Sequence, residues 1–102
     1  MIYVIATVHV LEGQRDAFLK EFHQVMPLVL QEEGCLTYGP AVDLPTGLER
    51  QIPIRDSVVT IVETWETLDH LRAHLAAPHM NDYRQRVKHL VVSTQLQILN
   101  PV

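Results

Sequence analysis

The sequence lacks several features that would place it in common protein classes. It has one cysteine in 102 residues, so no internal disulfide can form, and we expect a cytoplasmic protein. No apolar run approaches the ~20 residues that a membrane-spanning helix needs. The first residues lack the basic stretch of a secretory leader, and no leader is expected. The absence of a glycine-rich phosphate loop argues against bound NAD or FAD.

Positive charge is also scarce. Eight Lys and Arg residues stand against twelve Asp and Glu residues, which gives a net charge of −4. Nucleic acids and anionic membranes attract proteins with basic surfaces, so we expect neither as a partner. The length suits a single domain over residues 1–102, because a chain of this size buries roughly two-thirds of its unfolded surface in one core.

Apolar periodicity predicts four strands and two helical regions. Strand character occupies residues 2–11, 35–44, 58–65 and 92–99. The first helix carries an apolar stripe at helical spacing, made of Phe18, Phe22, Val25 and Val29.

Capping and breaking residues mark the ends of these helices. Gly34 is expected as the left-handed residue directly after the first helix, and Pro27 is expected to loosen a turn within it. Thr67 is predicted to cap the second helix. Pro78 interrupts the second helical region, and a further helical stretch continues to about Leu90.

The resulting order of elements is β-α-β-β-α-β. This order is typical of the ferredoxin-like α+β fold, in which an antiparallel four-stranded sheet carries both helices on one face. Residues 2–11 are apolar on both alternating sets, which indicates that the second sheet face is covered as well. Because an exposed apolar face promotes aggregation, we expect a homodimer in which two sheets pack face to face.

The densest polar cluster lies between the third strand and the second helical region. It consists of Glu63-x-Trp65, a helix with an apolar stripe and His74, and then Pro78-His79. Together with Gly34-Cys35-Leu36-x-Tyr38, this pattern resembles the antibiotic biosynthesis monooxygenase family of dimeric α+β barrel proteins along essentially the whole chain. The resemblance implies a cofactor-independent oxygenase that acts on a small quinol or an anthrone-like phenol.

Two other activities are found in the family that the sequence resembles. Its haem-degrading members carry an Asn on the first strand and a Trp in the second helical region. Here residues 2–11 contain no Asn and residues 68–77 contain no Trp, which disfavours haem breakdown. An isomerase acting on a small polar carbonyl compound would require more convergent polar groups than the sequence offers.

Two histidines are the candidate catalytic residues that the resemblance implies. His74 lies near the edge of the leucine stripe of the second helix, where partial burial lowers the pKa of an imidazole and favours its neutral form. A nearby Glu63 carboxylate would raise this pKa, so the sequence leaves the net direction open. We predict that His74 accepts a proton from the phenol. His79 stands at a helix start and is predicted to orient or stabilise the resulting oxyanion through its N–H.

Three further residues, Trp65, Tyr83 and Glu63, are predicted to bind the substrate. Each also has a structural interpretation: Trp65 suits a core position, and Glu63 could be a buried partner of an arginine or a backbone amide. Tyr83 follows His79 by four residues and shares its helix face, so either residue could direct a donor into the cleft.

No metal ion or other cofactor is predicted. His70 and His74 have the i, i+4 spacing that can share a metal ion, but no third ligand accompanies them, and we expect His70 to be exposed. Cys35 has no adjacent base and is expected to be a small buried thiol. A deprotonated phenol supplies its own electrons to dioxygen, so the protein needs only to take a proton and stabilise the anion.

The same cleft leaves a second interpretation open. A dimeric module without catalytic activity could bind or sense a small aromatic or hydrophobic molecule there. Residues 43–56 are longer than a usual link between the second and third strands, and this segment could cap the cleft.

Overall fold

The computed structural model of residues 1–102 contains four strands and three helices in the order β-α-β-β-α-α-β. They are β1 (Ile2–Val10), α1 (Arg15–Leu30), β2 (Cys35–Ala41), β3 (Val58–Trp65), α2 (Leu68–Leu75), α3 (Pro78–Val87) and β4 (Val91–Leu99). The predicted break of the second helical region is confirmed, because Pro78 begins α3 at a position where its missing N–H removes no helical hydrogen bond. None of the three helices has the length and apolar character required to cross a membrane.

The sheet has the strand order β2-β3-β1-β4, and every neighbouring pair is antiparallel. This arrangement confirms the predicted ferredoxin-like α+β fold. On the face that the helices cover, called the inner face below, Val4 lies opposite Glu63 and Ala6 opposite Ile61. The predicted stripe of α1 packs onto this face, and its four members are 0–1% exposed.

The opposite, outer face of the sheet has no covering layer within one chain. Tyr3, Val62 and Leu99 point to this side and are 38%, 44% and 43% exposed. They alternate along the strands with threonines and glutamines, so the outer face is less apolar than residues 2–11 alone indicate. Beyond the helices, the inner side of β4 also exposes Leu96 and Ile98.

The end of α1 corrects the predicted role of Gly34. The helix ends at Leu30 with Gln31 as its C-cap, so Gly34 is not the residue that directly follows the helix. Gly34 does adopt a left-handed conformation, with φ of +80°, in the turn that leads into β2. The His70 ring packs against it so closely that an added Cβ would collide with that ring.

The His70 side chain is half-buried, not exposed as the sequence suggested. Its ring rests on Gly34, and its Nδ1 lies 2.7 Å from Thr67 Oγ1. Thr67 is the N-cap of α2 as predicted, because its hydroxyl accepts the backbone N–H of His70.

Residues 42–57 form an irregular segment with its own hydrogen bonds. Arg55 donates to both carboxylate oxygens of Asp43 at 2.9 Å. The side chain of Gln51 contacts Thr46 and the Leu44 carbonyl. These contacts give the segment a defined shape without strands or helices.

Candidate active site

A cleft of about 510 Å³ lies between the inner face of the sheet and helix α3. Its volume is in the range of small-molecule sites. Most of its lining is apolar, and the remaining lining side chains are Tyr38, Glu63, His74, Tyr83, Arg84, Lys88 and Thr94. A second groove of the same volume, around Leu11, Lys20 and His89, contains no buried polar side chain. The first cleft is therefore the candidate active site.

Four polar side chains converge on this cleft from different elements. Tyr38 comes from β2, Glu63 from β3, His74 from α2 and Tyr83 from α3, and each is at most 7% exposed. Neither tyrosine hydroxyl has a hydrogen-bond partner within the protein, and one Glu63 oxygen and His74 Nε2 also lack one. No side-chain polar atom in the protein is both fully buried and unpartnered, so each of these four atoms keeps some accessible surface, and all four residues line the cleft. They can bind or transfer protons with a molecule there.

Glu63 is held in place by the indole of Trp65. Residues two apart on a strand share a face, and Trp65 Nε1 donates a hydrogen bond to Glu63 Oε1 at 2.8 Å. Burial raises the pKa of Glu63 to about 7, against the lowering effect of the indole N–H and with a further rise from the charge of Glu32. A carboxyl that titrates near neutral pH can both accept and donate a proton.

His74 occupies a central position in the core, not the edge position that the sequence predicted. The buried residues of α2 are Leu71 and His74, whereas Leu68 and Leu75 are 40% and 38% exposed. The imidazole packs 4.7 Å from the Trp65 ring and 5.4 Å from the Tyr38 ring, measured between centroids. It can be buried there because its Nδ1 lies 2.8 Å from the carboxylate of Glu32.

The environment of His74 keeps its ring neutral. Burial lowers the pKa of His74, Glu32 opposes this effect, and the nearby side chains of His79 and Arg84 reinforce it. A neutral imidazole with one unengaged nitrogen at the cleft has the form of a general base.

Two of the residues predicted for the site lie behind the cleft. Trp65 is completely buried and reaches the cleft only through its contacts with Glu63 and His74. His79 is also absent from the lining, and its Nε2 lies 2.8 Å from Glu32 Oε2. Tyr83, which was predicted to share a direction with His79, does line the cleft.

Glu32 and Tyr38 contribute to the site, although neither was among the predicted site residues. Tyr38 pairs with Glu63 across β2 and β3, and strand alternation would have placed it on the inner face once that register was known. Glu32 and His74 are 42 positions apart, so neither helical nor strand periodicity could have predicted their contact.

Cys35 and His70 add no chemistry to the cleft. Cys35 is half-buried, and burial, followed by the charges of Glu32 and Glu63, raises its pKa to about 11, so the thiol stays protonated at neutral pH. His70 and His74 direct Nδ1 to different partners, Thr67 and Glu32. No three His, Cys, Asp or Glu side chains come together in a group that could hold a metal ion.

The segment 42–57 does not cover the cleft within one chain. None of its residues is among those that line the cleft. The cap that the sequence left open is therefore not formed by a single chain.

The sequence is similar to those of known proteins along almost its whole length. The sequence profile of the antibiotic biosynthesis monooxygenase family matches residues 1–86. A protein of Escherichia coli K12 named "Probable quinol monooxygenase YgiN" is 43% identical over 103 residues, which cover 99% of this chain and 98% of that protein. The same protein from Shigella flexneri is equally similar.

Solved structures match the whole fold at lower sequence identity. The structure of Rv0793 from Mycobacterium tuberculosis has a TM-score of 0.80 at 20% identity and covers 99% of this chain and 94% of that one. A conserved protein from Methanosarcina mazei Go1 has a TM-score of 0.82 at 20% identity and covers 99% and 92% of the two chains. Structures at this level of identity show the fold alone, whereas the sequence profile and the 43% identity show that the chain is related to the family in sequence. The chain therefore belongs to the antibiotic biosynthesis monooxygenase family.

Proposed function

We propose that the protein is a cofactor-independent monooxygenase that oxidises a small quinol or anthrone-like phenol with dioxygen. The observation that carries this proposal is the convergence of four unpartnered polar atoms in a cleft whose lining is mostly apolar. An apolar cleft suits a flat aromatic ring, and the polar atoms suit its hydroxyl groups. The relative named as a quinol monooxygenase supports the same substrate class.

The proposed reaction uses electrons from the substrate alone. Removal of a phenolic proton gives an anion that can reduce dioxygen. One oxygen atom then bonds to a ring carbon and the other leaves as water, so a quinol loses four electrons and becomes a hydroxyquinone. The protein binds the ring, takes the proton and stabilises the negative charge, for which side chains suffice.

The cleft residues divide these tasks. His74 Nε2 accepts the phenolic proton, and the hydroxyls of Tyr38 and Tyr83 donate hydrogen bonds to the oxyanion. Glu63, which titrates near pH 7, returns a proton to the oxygen atom that leaves as water. Trp65 and His79 act from behind the cleft, through their contacts with Glu63 and Glu32.

Oxygen uptake with a panel of hydroquinones and anthrones tests this proposal. We expect one dioxygen consumed per quinol, one labelled oxygen atom from ¹⁸O₂ in the product, and no hydrogen peroxide. His74→Ala should lower kcat/KM by about 100-fold, which is within the range for loss of a general base. The matched control, His89→Ala, removes an exposed histidine outside the cleft and should behave as the unmodified protein.

Other results would redirect the assignment. Tight binding of the same phenols with no turnover on any of them would favour the non-catalytic module that binds or senses a hydrophobic molecule. Turnover that is unchanged in His74→Ala would remove His74 as the base.

We also propose that the chain forms a homodimer through the outer faces of its sheets. Tyr3, Val62 and Leu99 on this face are at least 38% exposed in one chain, and a second sheet would cover them. Sedimentation velocity at micromolar concentration should give a dimer, and Val62→Lys should shift it to monomer. A monomer in the unmodified protein would refute this arrangement.

A further inference from the structure

One carboxylate oxygen connects three separate elements behind the cleft. Glu32 lies in the connection between α1 and β2, His74 on α2, and His79 at the start of α3. Glu32 Oε2 is 2.8 Å from His74 Nδ1 and also 2.8 Å from His79 Nε2. The Glu32 side chain is 14% exposed and that of His74 is 1% exposed, so little water competes for these contacts.

We propose that Glu32 is the positioning residue of the site: it holds His74 as the Nδ1–H tautomer with a bare Nε2 toward the cleft, and His79 fixes Glu32. The kinetic part of this inference rests on the proposed monooxygenase function. The assignment of the tautomer rests on the geometry alone.

The number of protons at the three groups leads to this assignment. An ionised carboxylate only accepts hydrogen bonds, so it satisfies both contacts at once when His74 Nδ1 and His79 Nε2 each carry a hydrogen. A neutral imidazole has one N–H, and His74 Nε2 is then left with a lone pair. That nitrogen has no partner in the protein, and the ring lines the cleft. A lone pair there is what a proton acceptor requires.

The other groups around His74 do not supply an alternative acceptor. Tyr38 and Trp65 contact the ring with their aromatic faces or edges. Glu63 accepts the Trp65 N–H through one oxygen and makes no hydrogen bond to His74 through the other, and Arg84 donates to Asn81 and to the Leu75 carbonyl. Glu32 is therefore the one hydrogen-bond partner of the His74 ring within the protein.

His79 has a separate effect, because it shares the carboxylate that would otherwise belong to His74. A carboxylate with a single imidazole partner favours the imidazolium form of that partner. When one carboxylate oxygen contacts two histidines, it raises the pKa of His74 less than it would with His74 as its single partner. His79 itself also lowers the pKa of His74. His79 thus helps to keep His74 neutral while it anchors Glu32.

Nuclear magnetic resonance of ¹⁵N-histidine-labelled protein tests the tautomer without any substrate. In the unmodified protein at pH 8, we expect His74 to show a protonated Nδ1 and an unprotonated Nε2. A protonated Nε2 on His74 would overturn the inference, whether or not the protein turns over a phenol. This measurement needs no variant and therefore does not depend on the folding of one.

Variants separate positioning from general structure. Glu32→Leu has similar length and no acceptor, and we expect it to lose the single tautomer of His74 and to lower kcat/KM by about 100-fold. The matched control is Glu33→Leu at the neighbouring position, whose side chain is 94% exposed; it should change neither quantity. Retention of the tautomer and of full kcat/KM in Glu32→Leu would overturn the inference.

Two substitutions of His79 give a signature that a purely structural role would not produce. His79→Leu leaves Glu32 to His74 alone, so the acidic limb of the kcat/KM profile should move to higher pH. His79→Gln keeps an N–H donor for Glu32 and should leave the profile nearer its original position. Identical profiles for both variants would contradict the role given to His79.

Discussion

Glu63 makes the stability of the protein depend on pH in a direction that can be worked out from the structure. Its pKa is raised from 4.5 to about 7, chiefly by burial. Below pH 4.5 the carboxyl is protonated in both folded and unfolded chains. As the pH rises from 4.5 to about 7, the unfolded chain releases this proton while the folded protein keeps it, so unfolding becomes easier.

The size of this effect follows from the same shift. At about 1.4 kcal/mol for each pKa unit, the buried carboxyl lowers the free energy of unfolding by about 3 kcal/mol once the pH exceeds about 7. Glu63→Gln keeps an oxygen that can accept the Trp65 N–H and removes the titration. Between pH 4.5 and pH 8, the free energy of unfolding of the variant should therefore fall by about 3 kcal/mol less than that of the unmodified protein.

Equilibrium urea unfolding at fixed protein concentration measures this difference. Trp65 is the only tryptophan and is fully buried, so its fluorescence reports unfolding, with far-ultraviolet circular dichroism as a second signal. Glu33→Gln, an exposed neighbour of Glu32, serves as the control and should follow the unmodified protein. If the free energies of unfolding of the unmodified protein and of Glu63→Gln change in parallel across this pH range, burial does not disfavour the Glu63 carboxylate, and the reasoning is refuted.

Three further substitutions test separate parts of the structure. Gly34→Ala should lower the free energy of unfolding by about 2 kcal/mol or more, because the new side chain adds left-handed backbone strain and collides with His70. The control Gly13→Ala has the same strain, with φ of +77°, but open space around it, so its loss should be only about 1–2 kcal/mol; equal losses in urea unfolding would contradict the collision. Tyr38→Phe removes a hydroxyl that has no hydrogen-bond partner in the protein, so we expect kcat/KM in oxygen uptake to fall about 100-fold while the unfolding midpoint is unchanged. A large loss of stability would show that the hydroxyl has a structural role. Asp43→Ala removes the two hydrogen bonds that Arg55 donates to the carboxylate, so proteolysis within residues 42–57 should become faster while oxygen uptake is retained. An unchanged cleavage rate would mean that this ion pair does not order the segment.

Local patterns in the sequence were sufficient to predict most of the fold. The stripe of α1 and the break at Pro78 depend on residues within one or two helical turns, and the structure confirms both. Gly34 shows the limit of such reasoning. Its left-handed conformation was predicted correctly, but the turn after Gln31 and the contact with His70 depend on how α2 packs against it.

The candidate site was less accessible from the sequence because its contacts are long-range. His74 was placed at the edge of a leucine stripe, because the three leucines alone defined the centre of the apolar face on a helical wheel. Its pairing with Glu32 satisfies the ring and allows it to take a core position instead. That pairing joins residues 42 positions apart, and it depends on the packing of α2 against the end of α1.

The wall that β4 contributes to the cleft can vary independently of the buried interior. Thr94 and Leu96 line the cleft from an edge strand that no helix covers, and both are exposed in one chain. Substitutions at exposed positions usually change stability little, whereas Glu63 and His74 on the opposite side belong to the buried interior. Substitutions at 94 and 96 should therefore change the shape of the cleft while Glu63 and His74 remain in place.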